Sequence, residues 1–306
     1  MKKKVVFILG PTAVGKTYFS VMLAKAFDGE IISADSVQIY KGFDIGSAKV
    51  TKDEMQGVKH YAIDILEPEE DFSVFDFVQY TREKIDQITE EKHLPIVVGG
   101  TALYIKALTK GYNFGGAGKD ENLRKFLEEK PLDELCQMLK EKDEKMYMQI
   151  DFQNKVRVVR ALEIALADGE KTQEEVDIEP LLIALVKDRQ YLYEAINKRV
   201  DIMLENGLVD EVKALMARGL NKENSSMKAI GYKEVFDYLN GDVTYEKMVE
   251  ILKQHSRNYA KRQLTFLRSM DDINFVDVSN LENAKNEIFK LIGDFLKWKI
   301  WKKLKK

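Results

Sequence analysis

Gly10-Pro11-Thr12-Ala13-Val14-Gly15-Lys16-Thr17 fills every fixed position of the G-x-x-x-x-G-K-[ST] phosphate loop. Upstream, Val5 to Leu9 is a short apolar run rich in β-branched residues, the pattern of a fully buried strand. Downstream, Val21, Met22, Leu23 and Ala26 recur at helical spacing. Strand, glycine turn and helix start together build an anion trap. Its parts are inward-pointing N–H groups, the partial positive charge of a helix N-terminus and the Lys16 ammonium. Thr17 places its hydroxyl where a Mg²⁺ shared with bound phosphates would sit. The loop implies a di- or triphosphate ligand and does not choose between them.

Around this loop the first third of the chain alternates strand and helix signals. Glu30 to Ala34, Tyr61 to Leu66 and Pro95-Ile96-Val97-Val98 read as strands, and Phe75 to Ile88 as a helix. Alternation of this kind implies an α/β fold, a phosphate-loop core whose mostly parallel sheet is flanked by helices. Ligands of open α/β sheets sit at the carboxyl ends of strands, so Gly10–Thr17, Asp35 and Thr101 are expected to share one crevice. A glycine-rich exit follows at Gly111-Tyr112-Asn113-Phe114-Gly115-Gly116-Ala117-Gly118. Beyond it, to about Asp177, the chain is charge-rich and helical. Pro180 to Val186 returns as a buried strand, and from Tyr191 the pattern is helical almost to the end. The expected organisation is a discontinuous core, 1–114 and 178–306, with a small all-helical insertion at 115–177.

Bulk composition narrows the function classes. With 48 basic and 51 acidic residues the net charge is −3, so gross charge announces no nucleic-acid partner. A single cysteine, Cys136, excludes an internal disulfide and fits a reducing cytoplasm. Three scattered histidines (His60, His93, His255) offer no zinc-ligand spacing. Lys2-Lys3-Lys4 and the apolar run after it faintly mimic a signal peptide, but the run is short and leads into the phosphate loop. No stretch is long enough to span a membrane, and a soluble monomer is expected.

Asp35 follows a strand and precedes Ser36-Val37-Gln38. It is either a turn or helix cap, as Asp-Ser pairs commonly are, or a general base or acceptor for a substrate amine. Gly99-Gly100-Thr101 occupies the place where many phosphate-loop nucleotidases carry a strand-terminal acid for Mg²⁺, and no acid stands there. Asp64 lies inside its apolar run and not at its end, which weighs against an ATPase or GTPase. Thr101 offers a neutral hydroxyl, as part of a site or as a helix cap. In Val156-Arg157-Val158-Val159-Arg160-Ala161-Leu162-Glu163, Arg157 and Arg160 share a helical face. They suit RNA phosphates, or Arg160 pairs internally with Glu163. Gln254 to Gln263 holds no acid and several bases, including Arg257, Lys261 and Arg262, which suits a nucleic-acid backbone. The basic tail Trp298–Lys306 reads as a solvated end.

Taken in order, six stretches resemble the tRNA dimethylallyltransferase (tRNA isopentenyltransferase) family. They are Gly10–Thr17; Asp35-Ser36-Val37-Gln38-Ile39-Tyr40 with Asp44-Ile45-Gly46; Val98-Gly99-Gly100-Thr101-Ala102-Leu103-Tyr104; Arg157 through Glu163; Ala229-Ile230-Gly231-Tyr232-Lys233-Glu234; and Tyr259-Ala260-Lys261-Arg262-Gln263. The likeness runs from Val5 to about Arg268. It implies transfer of a dimethylallyl group from dimethylallyl diphosphate to N6 of the adenosine 3′ of the anticodon, in tRNAs reading codons that begin with U. The phosphate loop, Gly10 to Thr17, would hold the donor's diphosphate with Mg²⁺ on Thr17, and Lys16 would stabilise the leaving charge. Asp35 would accept from N6 of a flipped-out adenine, with Thr101 along the channel and Ser36, Val37 and Gln38 beside the base. Lys233 and Arg262 would be further charges near diphosphate or tRNA. The insertion would close over the anticodon stem-loop, with Arg124 and Val156 to Arg160 at the RNA. Phe266 stands where the family usually has Trp, and Ser47 and Ser256 where it has Thr; Asp151 to Lys155 is looser than usual. The zinc finger of eukaryotic relatives needs more cysteines than this chain has, which points to a bacterial form. Rival readings are a small-molecule kinase, an isopentenyltransferase acting on free adenine nucleotides, and an RNA chaperone without catalysis.

Overall fold

The β-branched apolar runs pair into one sheet of six strands: β1 (Lys3–Leu9), β2 (Gly29–Ala34), β3 (His60–Tyr61), β4 (Leu94–Gly99), β5 (Ile178–Val186) and β6 (Ile273–Asp277). This computed structural model describes residues 2–111, 121–148, 150–166 and 176–297. The strand order is β3-β2-β4-β1-β5-β6, and every pairing is parallel. Val5 to Leu9 are fully buried, because β1 is central and helices cover both faces of the strand. Val6, Ile8, Ile96 and Ile183 from the sheet pack with Phe19 and Leu23 of helix Lys16–Phe27 and with Ile288 and Ile292 of helix Leu281–Leu296.

Two expectations are corrected. Tyr61 to Leu66 is not a strand beyond Tyr61: Ala62 and Asp64 take positive φ (59° and 52°), which breaks extended pairing. The segment instead bonds a neighbouring loop, through Ile65 N–H and Leu66 N–H to the Ile39 carbonyl. The C-terminal part is not helical throughout, because Ile273–Asp277 adds the edge strand β6 beside β5. Its five residues are too short, and too mixed in polarity, to stand out between two long helices.

The chain divides into two compact units, residues 1–109 with 177–306, and residues 110–176. The second is helical, with helices Glu121–Glu128, Leu132–Lys142, Glu144–Tyr147 and Lys155–Leu166 around a core of Leu127, Leu135, Leu139, Val158, Val159 and Leu162. The glycine-rich tract after Gly111 and the basic tail from Trp298 lie outside the described residues.

Candidate active site

Strand register sets the site. Leu9 of β1 lies opposite Gly99 of β4, and Gly99 opposite Ala34 of β2. The residues that follow, Gly10, Gly100 and Asp35, therefore leave the sheet at one level. Gly15 (φ 98°) turns the chain into helix Lys16–Phe27, whose N-terminus has no side-chain cap. Its first N–H groups are thus left for an anion. Lys16 Nζ donates to the carbonyls of Gly10 (3.0 Å) and Pro11 (2.8 Å). Pro11 has no N–H to offer a phosphate, and its carbonyl steers the lysine instead. Burial, aided by the like charge of Arg199 and opposed by Asp35, pushes the Lys16 ammonium down to about 8.

Asp35 serves as a turn cap and faces the site as well. Its Oδ1 accepts from Val37 N–H (2.9 Å) and Gln38 N–H (3.3 Å), which fixes the carboxylate. The residue lines two cavities. A small one, about 60 Å³, also holds Lys16, Thr17 and Ser33. The larger, about 520 Å³, is walled by Thr12, Tyr104, Arg199, Tyr259, Lys233 and Arg262 among others. That volume suits a small organic ligand. Ser36 and Val37 line the larger cavity. Gln38 lines the smaller one, and its amide is committed locally: Oε1 accepts from Ser33, and Nε2 donates to the carbonyls of Ser47 and Ala48.

The floor of the larger cavity is pinned from below. Glu211 accepts from the N–H groups of Asp44 (3.0 Å), Ile45 (2.7 Å) and Gly46 (3.0 Å), and from the Tyr232 hydroxyl (2.7 Å). Tyr232 is fully buried, and burial raises its phenol well above the ordinary value. Glu234 is buried too; it accepts from Gly231 N–H and meets His255 Nδ1 at 2.6 Å. Thr101 precedes helix Ala102–Lys110, and Tyr259, a phenol on helix Tyr245–Arg268, lines the larger cavity. Burial pushes that phenol up to about 12.

Arg199 is a site residue that the sequence reading missed. It lies on helix Arg189–Glu205 and lines the larger cavity with Ile196, Val200 and Met203. Burial lowers its guanidinium from the ordinary value, while Asp35 pulls the other way. The available signal was an arginine on the apolar stripe Leu192, Ile196, Val200.

The basic residues divide into groups. Lys261 and Arg262 are exposed, whereas Arg257 is half-buried and donates to Asn197 Oδ1 at 2.6 Å, tying two helices together. In the helical unit, Arg157 has a side chain 66% exposed and stands 3.9 Å from Asp151. Arg160 donates to the buried Glu163 at 2.8 Å, so the internal pair is present. Arg124 donates to Glu128 and lies 3.9 Å from Glu163. Val156 is exposed, but Val158 and Val159 are buried in the unit's core. RNA contact by those two side chains is therefore corrected: their helical phase turns them inward.

Among the described residues one trio of metal-ligating side chains converges, Glu30, Glu91 and His93. Glu30 stands at the amino-terminal end of β2, away from Asp35, and Lys59 is 3.5 Å from it. At the loop, Thr17 and Asp35 line the same small cavity. This sparse oxygen set fits an ion that takes most of its ligands from phosphates and water, as Mg²⁺ does.

The sequence matches the IPP transferase family over residues 38–270. It is 46% identical over 313 residues to a tRNA dimethylallyltransferase of Clostridioides difficile, covering 97% of this chain and 100% of the relative. To the tRNA dimethylallyltransferase of Bacillus anthracis it is 45% identical over 309 residues, covering 97% and 98%. Among solved structures, the tRNA isopentenylpyrophosphate transferase of Bacillus halodurans superposes with a TM-score of 0.76 at 44% identity, over 97% of each chain. A eukaryotic dimethylallyltransferase acting on tRNA superposes with a TM-score of 0.84 at 28% identity, over 96% of this chain and 80% of that one. A shared fold, near-complete coverage and the matched core of the sequence lead to one assignment: the chain belongs to the IPP transferase family.

Proposed function

We propose that this protein is a tRNA dimethylallyltransferase. It moves the dimethylallyl group of dimethylallyl diphosphate to N6 of the adenosine 3′-adjacent to the anticodon, in tRNAs reading codons that begin with U. One observation carries the reading: Asp35 borders both the small cavity of Lys16 and Thr17 and the large cavity beside it. An anion held by the loop and an acceptor amine thereby meet at one carboxylate.

In the transfer, the bond between the donor's C1 and its diphosphate oxygen breaks and the C1–N6 bond forms. Asp35 takes the N6 proton, and diphosphate leaves with the bond electrons. Lys16, the open N–H groups at the start of helix Lys16–Phe27 and Arg199 are the positive charges that receive it. Thr17 is the residue that would hold Mg²⁺ with the diphosphate, and the ion would add charge stabilisation of the leaving group. Tyr104, Tyr259 and Arg262 wall the larger cavity, where a flipped adenine has ring faces to stack on. For the anticodon stem-loop, the proposed phosphate contacts are the exposed cation Arg157 with Arg124 and Arg160 in the helical unit and, separately, Lys261, Arg262 and Lys233 in the core. The protein is proposed to act as a monomer in the cytoplasm, in keeping with its single cysteine. No helix among the described residues is long and apolar enough to cross a membrane.

Incubation with radiolabelled dimethylallyl diphosphate and either bulk tRNA or AMP tests the assignment. Label in tRNA alone is expected. Label in AMP with none in tRNA would move the protein to the free-nucleotide enzymes, and no transfer at all would leave an RNA-binding protein without this catalysis.

A further inference from the structure

Helix Tyr245–Arg268 turns one neutral polar side chain into the protein. Gln263 is 6% exposed and shares that buried face with Ala260 and Leu267. Its amide reaches two separate main-chain segments at the end of the sheet. Oε1 accepts from Thr12 N–H at 3.0 Å, and Nε2 donates to the Gly100 carbonyl at 3.0 Å. Tyr259, one turn earlier, lines the larger cavity. Space is kept open for this amide: a Cβ on Gly100 would fall 2.1 Å from Gln263 Nε2 and 3.0 Å from the Gly10 carbonyl oxygen. The glycine before Thr101 is thus explained by the approach of a side chain from a distant helix.

The segments so joined belong to opposite halves of the reaction. Thr12 lies in the loop assigned to the donor's diphosphate, and Gly100 carries Thr101 on the acceptor side. We propose that Gln263 is a positioning residue. Its amide holds the phosphate loop at a fixed separation from the Gly99-Gly100-Thr101 turn, and so sets the approach of the donor carbon to the acceptor nitrogen. The proposal rests on the prenyl-transfer reading above. Gln263 acts through main-chain groups and touches neither substrate. One further consequence is that Thr12 N–H is already bonded, so the loop presents one donor fewer to its anion. Rates are sensitive to such spacing, since a misplacement on the order of 1 Å can cost about 10²-fold.

Two full-length variants test this. Gln263→Met keeps length and volume and removes both hydrogen bonds. Gln263→Glu keeps an acceptor for Thr12 N–H but, when ionised, cannot donate to the Gly100 carbonyl. With dimethylallyl diphosphate and tRNA both saturating, the single-turnover rate of Gln263→Met is expected to fall roughly ten- to a hundredfold. Its affinities for inorganic diphosphate and for tRNA should stay within about threefold of the unaltered enzyme, as expected when positioning and not binding is lost. For Gln263→Glu, the rate divided by that of the unaltered enzyme should rise as pH is lowered from 8 to about 5.5, because the protonated carboxyl regains a donor. A single-turnover rate within threefold of normal overturns the proposal. So does a loss that appears only as weaker diphosphate binding or lower melting temperature. Should Gln263→Met not fold, the pH dependence of the Gln263→Glu ratio decides, and a flat ratio overturns it. Each readout is relative to the unaltered enzyme. If that enzyme fails to prenylate tRNA, it is the proposed function that falls.

Discussion

Lys16 carries a charge that its surroundings resist. Burial and Arg199 press its ammonium down to about 8, and Asp35 only partly offsets them. The protonated form is the one that attracts a diphosphate. Its contribution to binding is therefore complete below about pH 8 and is lost as pH rises through that value, by at most about tenfold per pH unit for one proton. Calorimetry with inorganic diphosphate checks this against Lys16→Arg, whose side chain stays charged. The affinity of the unaltered enzyme should decline relative to the variant above pH 8, and a constant ratio would contradict the assignment. Asp35→Asn keeps the turn acceptor Oδ1 but removes the base, so prenyl transfer should fall by roughly 10² or more while tRNA binding changes only a few-fold. Turnover and binding assays read these separately, and near-normal turnover would remove Asp35 from the role. At this scale the phosphate loop and Asp35 were legible because local chain pattern defines them. Arg199 and Gln263 were not. Each is a polar residue on an apolar helical stripe, and its purpose exists only once the partner loops are in place.

Elements meet at the site through pins that lie outside the motifs they serve. The loop at Asp44 to Gly46 is held by Glu211, three of whose partners are main-chain N–H groups, and by Tyr232 through the same carboxylate. Glu211→Ala should lower stability by about 2–4 kcal/mol, given several charge-assisted hydrogen bonds lost at once. Urea denaturation measures it, and an unmoved midpoint would show that the loop needs no such anchor. The stretch Ala229 to Glu234 looked like a functional signature in the sequence. In the structure, Tyr232 and Glu234 are buried supports, while Ala229, Ile230, Gly231 and Lys233 line the cavity. Strands that bury both faces, β1, β4 and β5, were readable as apolar runs. The edge strands were less so: the strand read at Tyr61 to Leu66 stops at Tyr61, where positive φ intervenes, and β6, which exposes part of itself to water, was not read at all. The sheet's parallel sense followed from the alternation of element types, whereas the addition of β6 at its edge depends on contacts made across the whole chain.

On the scale of the whole molecule, a net charge of −3 must coexist with binding to a polyanion. That calls for segregated positive charge, and the structure sorts the candidates. Arg157 is largely exposed and weakly held, whereas Arg160 is committed to the buried Glu163. Arg157→Glu should therefore reduce the slope of log affinity for tRNA against log salt by roughly one, while Arg160→Gln should chiefly destabilise the helical unit. Filter binding over a salt series and thermal melting distinguish the two, and an unaltered slope in Arg157→Glu would return that residue to an ordinary solvated surface. The central claim is that the glycine-lysine loop releases diphosphate from an allylic donor and does not hydrolyse a nucleotide. Its most direct test counts diphosphate released against prenyl groups gained by tRNA, with phosphate released from ATP followed in parallel. One diphosphate per modified tRNA and no phosphate from ATP are expected. ATP cleavage without prenyl transfer would contradict that claim.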